Sequence, residues 1–497
     1  MPTNRLDPTF LGNLTSNLFF SNGIGGFDTE DDYRINLTSI SNINISVVSQ
    51  YALNFRISLI RDTNNNGVID DTNPSQPAET LAVASTSSII GWYGKHSDNI
   101  ASLAVANLSP GNYYVRVSTS ASNFSAYQIS LSPFNLSNLI AEEVNWGNLS
   151  SSAVGADGYW YLDAKNLSDF YRFNLTTAGD INLHNMSGSP QTFFRLIRDN
   201  NNNRLVEPGE VIMTSPSALG YSRSINLSNQ AAGTYFVQVY LNGYSPDNYD
   251  LRASTSDPSN LLDKEDYLEP SSLSTTITKT GTINNTDTSD FYFFRIENYN
   301  KNINLSLTGL AADADLRLIR DLDNNRVADP GEILAVSTSI GSRPDVINLY
   351  NQPIGAYFVQ VYQYGASATD YTLRSSSTIP NNLMAEEDTL GVFVGQTLRT
   401  GFVGRNDTSD IYRITIIGSR QISARLSGMT GDADLRLIRD INNNNLMDLS
   451  GEYVVGSATG GNTEETFNQL VPPGEYFLQV TSYGANETNY NLNVSVF

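Results

Sequence analysis

Oxygen-bearing side chains recur at a regular spacing in the stretch Asp321-Leu322-Asp323-Asn324-Asn325-Arg326-Val327-Ala328-Asp329-Pro330-Gly331-Glu332. Asp321, Asp323, Asn325, Asp329 and Glu332 fall at loop positions 1, 3, 5, 9 and 12, and Val327 at position 7 can offer its backbone carbonyl. This is the ligand spacing of an EF-hand calcium loop, in which a tight turn brings alternate oxygen donors onto one hard cation. Three further stretches repeat it. Asp199, Asn201, Asn203, Leu205, Glu207 and Glu210 keep the full pattern. Asp62, Asn64, Asn66, Val68 and Asp70 keep its first nine positions, with Gly67 at position 6, and an insertion displaces the closing acid to Glu79. Asp440, Asn442, Asn444, Leu446 and Asp448 do the same, and one extra residue moves the closing acid to Glu452. Ca²⁺ is therefore the expected ligand. Asn at many donor positions lowers the loop charge, which points to weak sites of the extracellular, millimolar kind. The competing reading is that such loops are only turns, since Asn and Asp bond their own backbone and tolerate left-handed conformations.

Other chemistry has little to work with. Cys is absent and only His96 and His184 exist, so Ser/His and Cys/His nucleophiles and spaced-His zinc sites lack their parts. His184, in Ile181-Asn182-Leu183-His184, reads as an exposed strand position. Carboxylates abound, but they repeat fourfold at metal-loop spacing, whereas an active site needs one asymmetric cleft. No enzyme is expected.

The loops must be held by strands. Each follows a strand-like run, such as Leu316-Arg317-Leu318-Ile319-Arg320, and the loops recur at a period of about 120 residues, right for whole domains and too long for a solenoid. Each unit carries an acidic turn into a strand, as in Ser289-Asp290-Phe291-Tyr292 and Ser409-Asp410-Ile411-Tyr412. Each also has a Gly turn into an alternating strand, as in Gly355-Ala356-Tyr357-Phe358-Val359-Gln360-Val361, read as half-buried with Tyr357, Val359 and Val361 on one face. A hairpin partner is expected next, as in Asp370-Tyr371-Thr372-Leu373. Short strands split by Gly, Asn and Pro turns make β-sandwiches. Pro133–Ser137, Ser256–Asn260 and Thr378–Asn382 read as short linkers. The acidic groups just beyond them, Glu142-Glu143, Asp263 to Asp266 and Glu386-Glu387-Asp388, are either solvated surface or an interdomain calcium site.

The succession Ser-Asp-φ-Tyr-Arg-φ, then Gly431-Asp432-Ala433-Asp434-Leu435-Arg436-Leu437, then Pro-Gly-x-Tyr-Phe-φ-Gln-Val and Asn-Tyr-x-Leu resembles the bacterial pre-peptidase C-terminal domain family. The resemblance implies an all-β chain, a tandem array of four jelly-roll-like β-sandwich domains over 1–133 (the most divergent), 138–257, 260–378 and 381–497. It further implies a secreted setting, since members are often appendages of secreted proteases that bind matrix polymers and calcium. The Asp-x-Asn-x-Asn insertion is similar to versions common in filamentous cyanobacteria.

Bulk properties agree with that setting. The 51 acidic residues outnumber 29 basic ones, for a formal charge of −22, which disfavours nucleic acid and anionic membrane as partners. No run approaches the ~18 apolar residues of a membrane helix, so no membrane insertion is expected. The primary expectation is an extracellular, cell-surface structural protein that assembles with other copies of itself into a filament or layer. The alternative is a secreted adhesin or accessory protein that binds cell-surface polysaccharide by stacking sugars on Trp92-Tyr93 and Tyr159-Trp160-Tyr161.

Overall fold

The computed structural model describes residues 6–50, 55–70, 78–85, 100–141, 144–155, 160–186, 191–216, 223–243, 245–268, 276–448 and 450–497. His96, Trp92, Tyr93, Tyr159, Glu142 and Glu143 lie outside them. Every regular element among the described residues is a strand, and no helix is long and apolar enough to cross a membrane. The chain forms two compact units, Met1–Asp257 and Pro258–Phe497.

One strand order recurs four times, twice in each unit. In the third occurrence the nine strands are Asp266–Tyr267, Ile277–Ile283, Ser289–Ile296, Lys301–Thr308, Ala314–Asp321, Ile333–Ser337, Asp345–Gln352, Gly355–Gln363 and Thr369–Ser376. The first, third, eighth, fifth and sixth make a five-stranded sheet in that order, and the second, ninth, fourth and seventh make a four-stranded one. The first strand runs parallel to the third; the other neighbours are antiparallel. In the second occurrence the second and ninth strands are each split in two. The sheets pair as sandwiches over a shared core. In the third, Leu316, Leu318, Tyr357 and Val359 from one sheet meet Leu305, Leu307 and Leu373 from the other.

Two expectations about these strands need correcting. The strand after Gly355–Gln363 is not its hairpin partner: Thr369–Ser376 crosses to the other sheet and pairs with Ile277–Ile283 and Lys301–Thr308. The cause lies in the core, where Tyr371 faces Tyr292 from the opposite sheet with their hydroxyls 2.7 Å apart. The strand Gly355–Gln363 is also buried on both faces rather than one. It lies central in its sheet, and Phe358 on the outer face joins Leu262, Phe291, Phe293 and Ile319 in a second apolar cluster.

The same Tyr–Tyr pair, ending on an aspartate, recurs in each sandwich. Tyr127 bonds Tyr33 and Asp31, Tyr249 bonds Tyr171 and Asp169, Tyr371 bonds Tyr292 and Asp290, and Tyr490 bonds Tyr412 and Asp410. Burying two hydroxyls costs little when each is bonded, so the chain satisfies polar groups across the core while tying one sheet to the other. The Ser-Asp-φ-Tyr and Asn-Tyr-x-Leu motifs are accordingly two ends of one hydrogen-bonded chain.

Candidate metal-binding loops

Each acidic loop joins the fifth strand of a sandwich to the sixth and is held from three sides. The first hold is its own closing glutamate. Glu79, Glu210, Glu332 and Glu452 are all buried. Glu332 Oε1 accepts the N–H of Leu322 (2.6 Å) and Oε2 that of Asp329 (3.0 Å), which are loop positions 2 and 9. Glu210 accepts Asn200 and Glu207 (both 2.9 Å), and Glu452 accepts Ile441 (3.3 Å) and Asp448 (2.9 Å). Glu79 accepts Thr63 (2.8 Å) and Asp70 (3.0 Å). Glu79 and Glu452, displaced in sequence, thus reach the same place as the two closing acids in strict register. A backbone bond from the residue before position 1 to the carbonyl of this glutamate, as from Arg320 to Glu332 (2.8 Å), makes the hold equivalent in all four.

The second hold is the turn itself. The backbone N–H of position 5 bonds the position-3 side chain in every loop, as from Asn325 to Asp323 Oδ1 and from Asn203 to Asn201 Oδ1 (both 3.0 Å). The N–H of position 7 bonds the position-5 side chain, as from Val327 to Asn325 Oδ1 (2.6 Å). Positions 4 and 6 take left-handed φ, for example 60° at Asn324 and 59° at Arg326, and in the first loop position 6 is Gly67 at 69°. Left-handed kinks at alternate positions turn the intervening side chains inward, and Gly meets that demand without steric cost.

The third hold comes from the segment entering the sandwich. Leu262 N–H donates to the Arg326 carbonyl (2.9 Å) and Ala328 N–H to the Asn260 carbonyl (2.8 Å), bridging Leu261 to Val327. Leu139 with Leu205 and Leu383 with Leu446 form the same bridge. In the first sandwich Leu6 N–H donates to Gly67 (2.9 Å). The bridge uses the carbonyl of position 6 and the N–H of position 8, so it leaves the position-7 carbonyl of Val327 out of the pairing.

Carboxylates gather within this frame. Oxygens of Asp321, Asp323 and Glu332 all lie within 4.8 Å of one another. Asp321 Oδ1 is buried with no hydrogen-bond partner. Burial pushes the Asp321 carboxyl up from its ordinary range, and the negative charges of Glu332 and Asp323 push it further. A buried anionic oxygen without a donor, facing two more anions, is costly unless a cation joins it. The donor set is all oxygen, as Ca²⁺ requires, so the residues present fit that ion. In the other loops two Asn amides bridge the position-9 acid, as from Asn201 and Asn203 to Glu207 (2.6 and 3.0 Å), whereas Asp329 receives one, from Asn325 (2.6 Å).

Sequence reasoning missed two groups. Gln238, Gln360 and Gln479, from the Tyr-Phe-φ-Gln-Val motif, are buried and donate to the carbonyls of Ser137 (3.1 Å), Ser259 (3.1 Å) and Asn381 (2.8 Å) on the entering segments. The motif Gln thereby fixes the segment that clamps the loop. The second group is Glu387, Asp407 and Asp410, whose oxygens also lie within 4.8 Å of one another. Burial raises all three: Asp407 to about 8 and Asp410 to about 6, with Glu387 well above its usual range and further raised by both aspartates. Glu387 stood in an acidic run, but its partners lie on a turn and strand about 20 residues on, a separation that shows no spacing signal. His184 is corrected from exposed to fully buried; it stands on the outer sheet face, in register with Ser224 on one side and Arg252 on the other. Trp160 packs edge-on against Tyr171 (6.2 Å between centroids) beside the second core, while Tyr161 is exposed.

No family model matches the chain, and no curated protein matches it. Among solved structures it is similar to the pre-peptidase C-terminal domain of a collagenase from Bacillus anthracis, at 23% identity over 22% of this chain and 96% of that one, with a TM-score of 0.18. It is also similar to PliG of Aeromonas hydrophila, a periplasmic lysozyme inhibitor of g-type lysozyme, at 15% identity over 23% of this chain and 100% of that one (TM-score 0.18). The Yersinia pseudotuberculosis-derived mitogen matches at 15% identity over 21% of this chain and 88% of that one (TM-score 0.16). The first of these is a domain of the family that the motifs resemble.

Proposed function

We propose that this chain is a passive, extracellular structural protein: four jelly-roll-like domains in tandem, stiffened by Ca²⁺ and assembled with other copies of itself into a cell-surface filament or layer. The observation that carries this reading is the fourfold frame around the acidic loops. Four closing glutamates, two of them out of register, sit on the same pair of backbone N–H groups. Such reproduction at four places suits a repeated structural device, whereas a catalytic centre needs one unlike site. Bound Ca²⁺ would neutralise the gathered carboxylates and lock each loop to its entering segment. The polysaccharide-binding reading has less support, since Trp160 is engaged in packing.

Titrating Ca²⁺ into chelator-stripped protein tests the metal half. Ligand at tenfold over its dissociation constant stabilises the folded state by about 1.4 kcal/mol per site, so the melting temperature should climb through the millimolar range, and Mg²⁺ should do less. A melting temperature indifferent to Ca²⁺ would reject it. Electron microscopy of concentrated protein with Ca²⁺ tests the assembly half, and isolated single chains would count against it.

A further inference from the structure

Within each unit one sandwich seats the next in the same way. In the third sandwich, Asn348, Asn304 and Ser376 form a row across the outer face of the four-stranded sheet, and all three are buried. The fourth sandwich covers them. Tyr350 N–H donates to the Arg405 carbonyl (2.8 Å), Thr408 N–H to the Asn348 carbonyl (3.1 Å), and Asn381 Nδ2 to Asn348 Oδ1 (2.9 Å). In the first sandwich the corresponding row is Ala104, Asn44 and Ser132, again buried, and the second sandwich covers it. There Ala106 N–H donates to the Ala164 carbonyl, a bridge joins Ala104 to Asn166, and Ser132 Oγ donates to Asn138 Oδ1 (both bonds 2.9 Å). The two junctions place the same turn, Asp163–Asn166 or Gly404–Asp407, against the same seat.

The fourth sandwich carries this seat in the open. Its row is Asn468, Ser423 and Ser495, with Asn468 exposed and both serines half-buried. Beside it stand exposed Leu470 and Phe497, both aligned with Gln421. The first sandwich carries the matching turn, Gly25–Asp28, closed by mutual backbone bonds. Here the third turn residue is Phe27, fully exposed, where the covered copies have Lys165 and Asn406. Against that turn lies Phe124, also exposed, where the others have Pro246, Ala368 and Glu487. The loop that Phe124 ends is the counterpart of the one that holds Gly484, which lies against the Tyr350 hydroxyl in the third-to-fourth junction.

One further change affects the open seat. The strands Ile100–Leu108 and Asp345–Gln352 have an irregular register where Asn107 and Asn351 take left-handed φ of 55°. Glu465–Val471 pairs without a break. Loss of that bulge replaces a kinked polar edge by a straight one bearing Leu470. The seat and the turn thus become more apolar together, and a straight uncovered edge invites a partner.

We propose that the chain joins head to tail, the Asn468–Ser423–Ser495 face of one copy receiving the Gly25–Asp28 turn of a second copy, with Phe27 and Phe124 against the Leu470 side. This rests on the self-assembly half of the proposed function and names its interface. The contact is heterologous, so it propagates instead of closing as a dimer.

Two variants test it: Phe27→Asp with Phe124→Asp on the head, and Asn468→Glu with Ser495→Glu on the tail, where the new charges face Asp28. Three of the four positions are exposed and Ser495 is half-buried, and a far-UV spectrum and melting curve verify the fold. In Ca²⁺, wild-type protein should run by light scattering as species many times the 54.5 kDa chain. Each variant alone should fall to the mass of one chain, and a 1:1 mixture should give twice that mass, because each retains the complementary end. Variants that assemble like wild type overturn the named interface while leaving self-assembly standing. Variants that fall to single chains but do not pair when mixed overturn the head-to-tail arrangement. Monomeric wild type overturns both this proposal and the self-assembly reading.

Discussion

The loop beginning at Asp321 and the loop beginning at Asp199 share every element of the frame and differ in charge. Both close on a buried glutamate that accepts the N–H groups of positions 2 and 9. Position 3 is Asp323 in one and Asn201 in the other. In the Asp321 loop Asp321 accepts backbone N–H bonds, from Arg326 and Asn324, and Asp329 accepts the Asn325 amide (2.6 Å), but three carboxylates converge and one Asp321 oxygen lacks a donor. In the Asp199 loop, Asp199 accepts the N–H groups of Asn203 (3.2 Å) and Arg204 (3.0 Å), and Asn amides satisfy Glu207. One frame therefore holds two electrostatic states. The first gathers three carboxylates around an oxygen with no donor, and the second has its carboxylates more fully bonded.

Removing the frame should erase the contrast. Glu332→Ala and Glu210→Ala each delete two hydrogen bonds to a buried carboxylate and leave backbone donors unpaired, a loss of about 3 kcal/mol. The chelated protein should show similar losses for both in chemical denaturation, and only Glu332→Ala should also abolish the stronger part of the Ca²⁺ response. Exchanging the charge should invert the contrast. Asp323→Asn should weaken Ca²⁺ binding at its loop about tenfold, and Asn201→Asp should strengthen binding at the other to a like degree, since affinity follows ligand charge. Isothermal titration of the two variants checks this, and equal affinities in wild type would break the comparison.

The smallest effect is in pH dependence. Burial and the neighbouring Glu332 and Asp323 raise the folded-state pKa of Asp321 above its unfolded value. The folded state then binds the proton more tightly, so the associated stability is full below the ordinary carboxylate pKa of about 4 and is lost as pH rises through the raised value. Chelated protein should therefore melt higher at moderately acid pH than at neutral pH. Saturating Ca²⁺ should remove or reverse that slope, and Asp323→Asn should flatten it.

The turn geometry of the loops was legible because Asp and Asn at alternate positions accept backbone N–H groups two residues on. The closing acids Glu79 and Glu452 were legible despite their displacement, since an insertion after position 9 leaves the frame free to bring them back. What covers an outer sheet face was not legible. Period-two alternation in Gly355–Gln363 sorts Tyr357 from Phe358, yet it cannot report that Leu262 and its segment bury the second side. His184 was misjudged for the same reason. The ninth strand was misplaced because two alternating strands across a short turn look alike whether they pair or face each other across a core. Only Tyr371 and Tyr292, far apart in sequence, decide between them.

The bridge between each entering segment and its acidic loop has a mechanical consequence. At Asn382–Met384, the linker leaving the third sandwich is hydrogen-bonded to Asn445 and Met447 of the fourth sandwich's loop before it reaches a strand. Tension applied along the chain would load this acidic loop in shear across paired backbone bonds. A cation bound there, as proposed, would act as a rivet at the point of load, and the pulling force needed to open a sandwich would then rise with the calcium concentration.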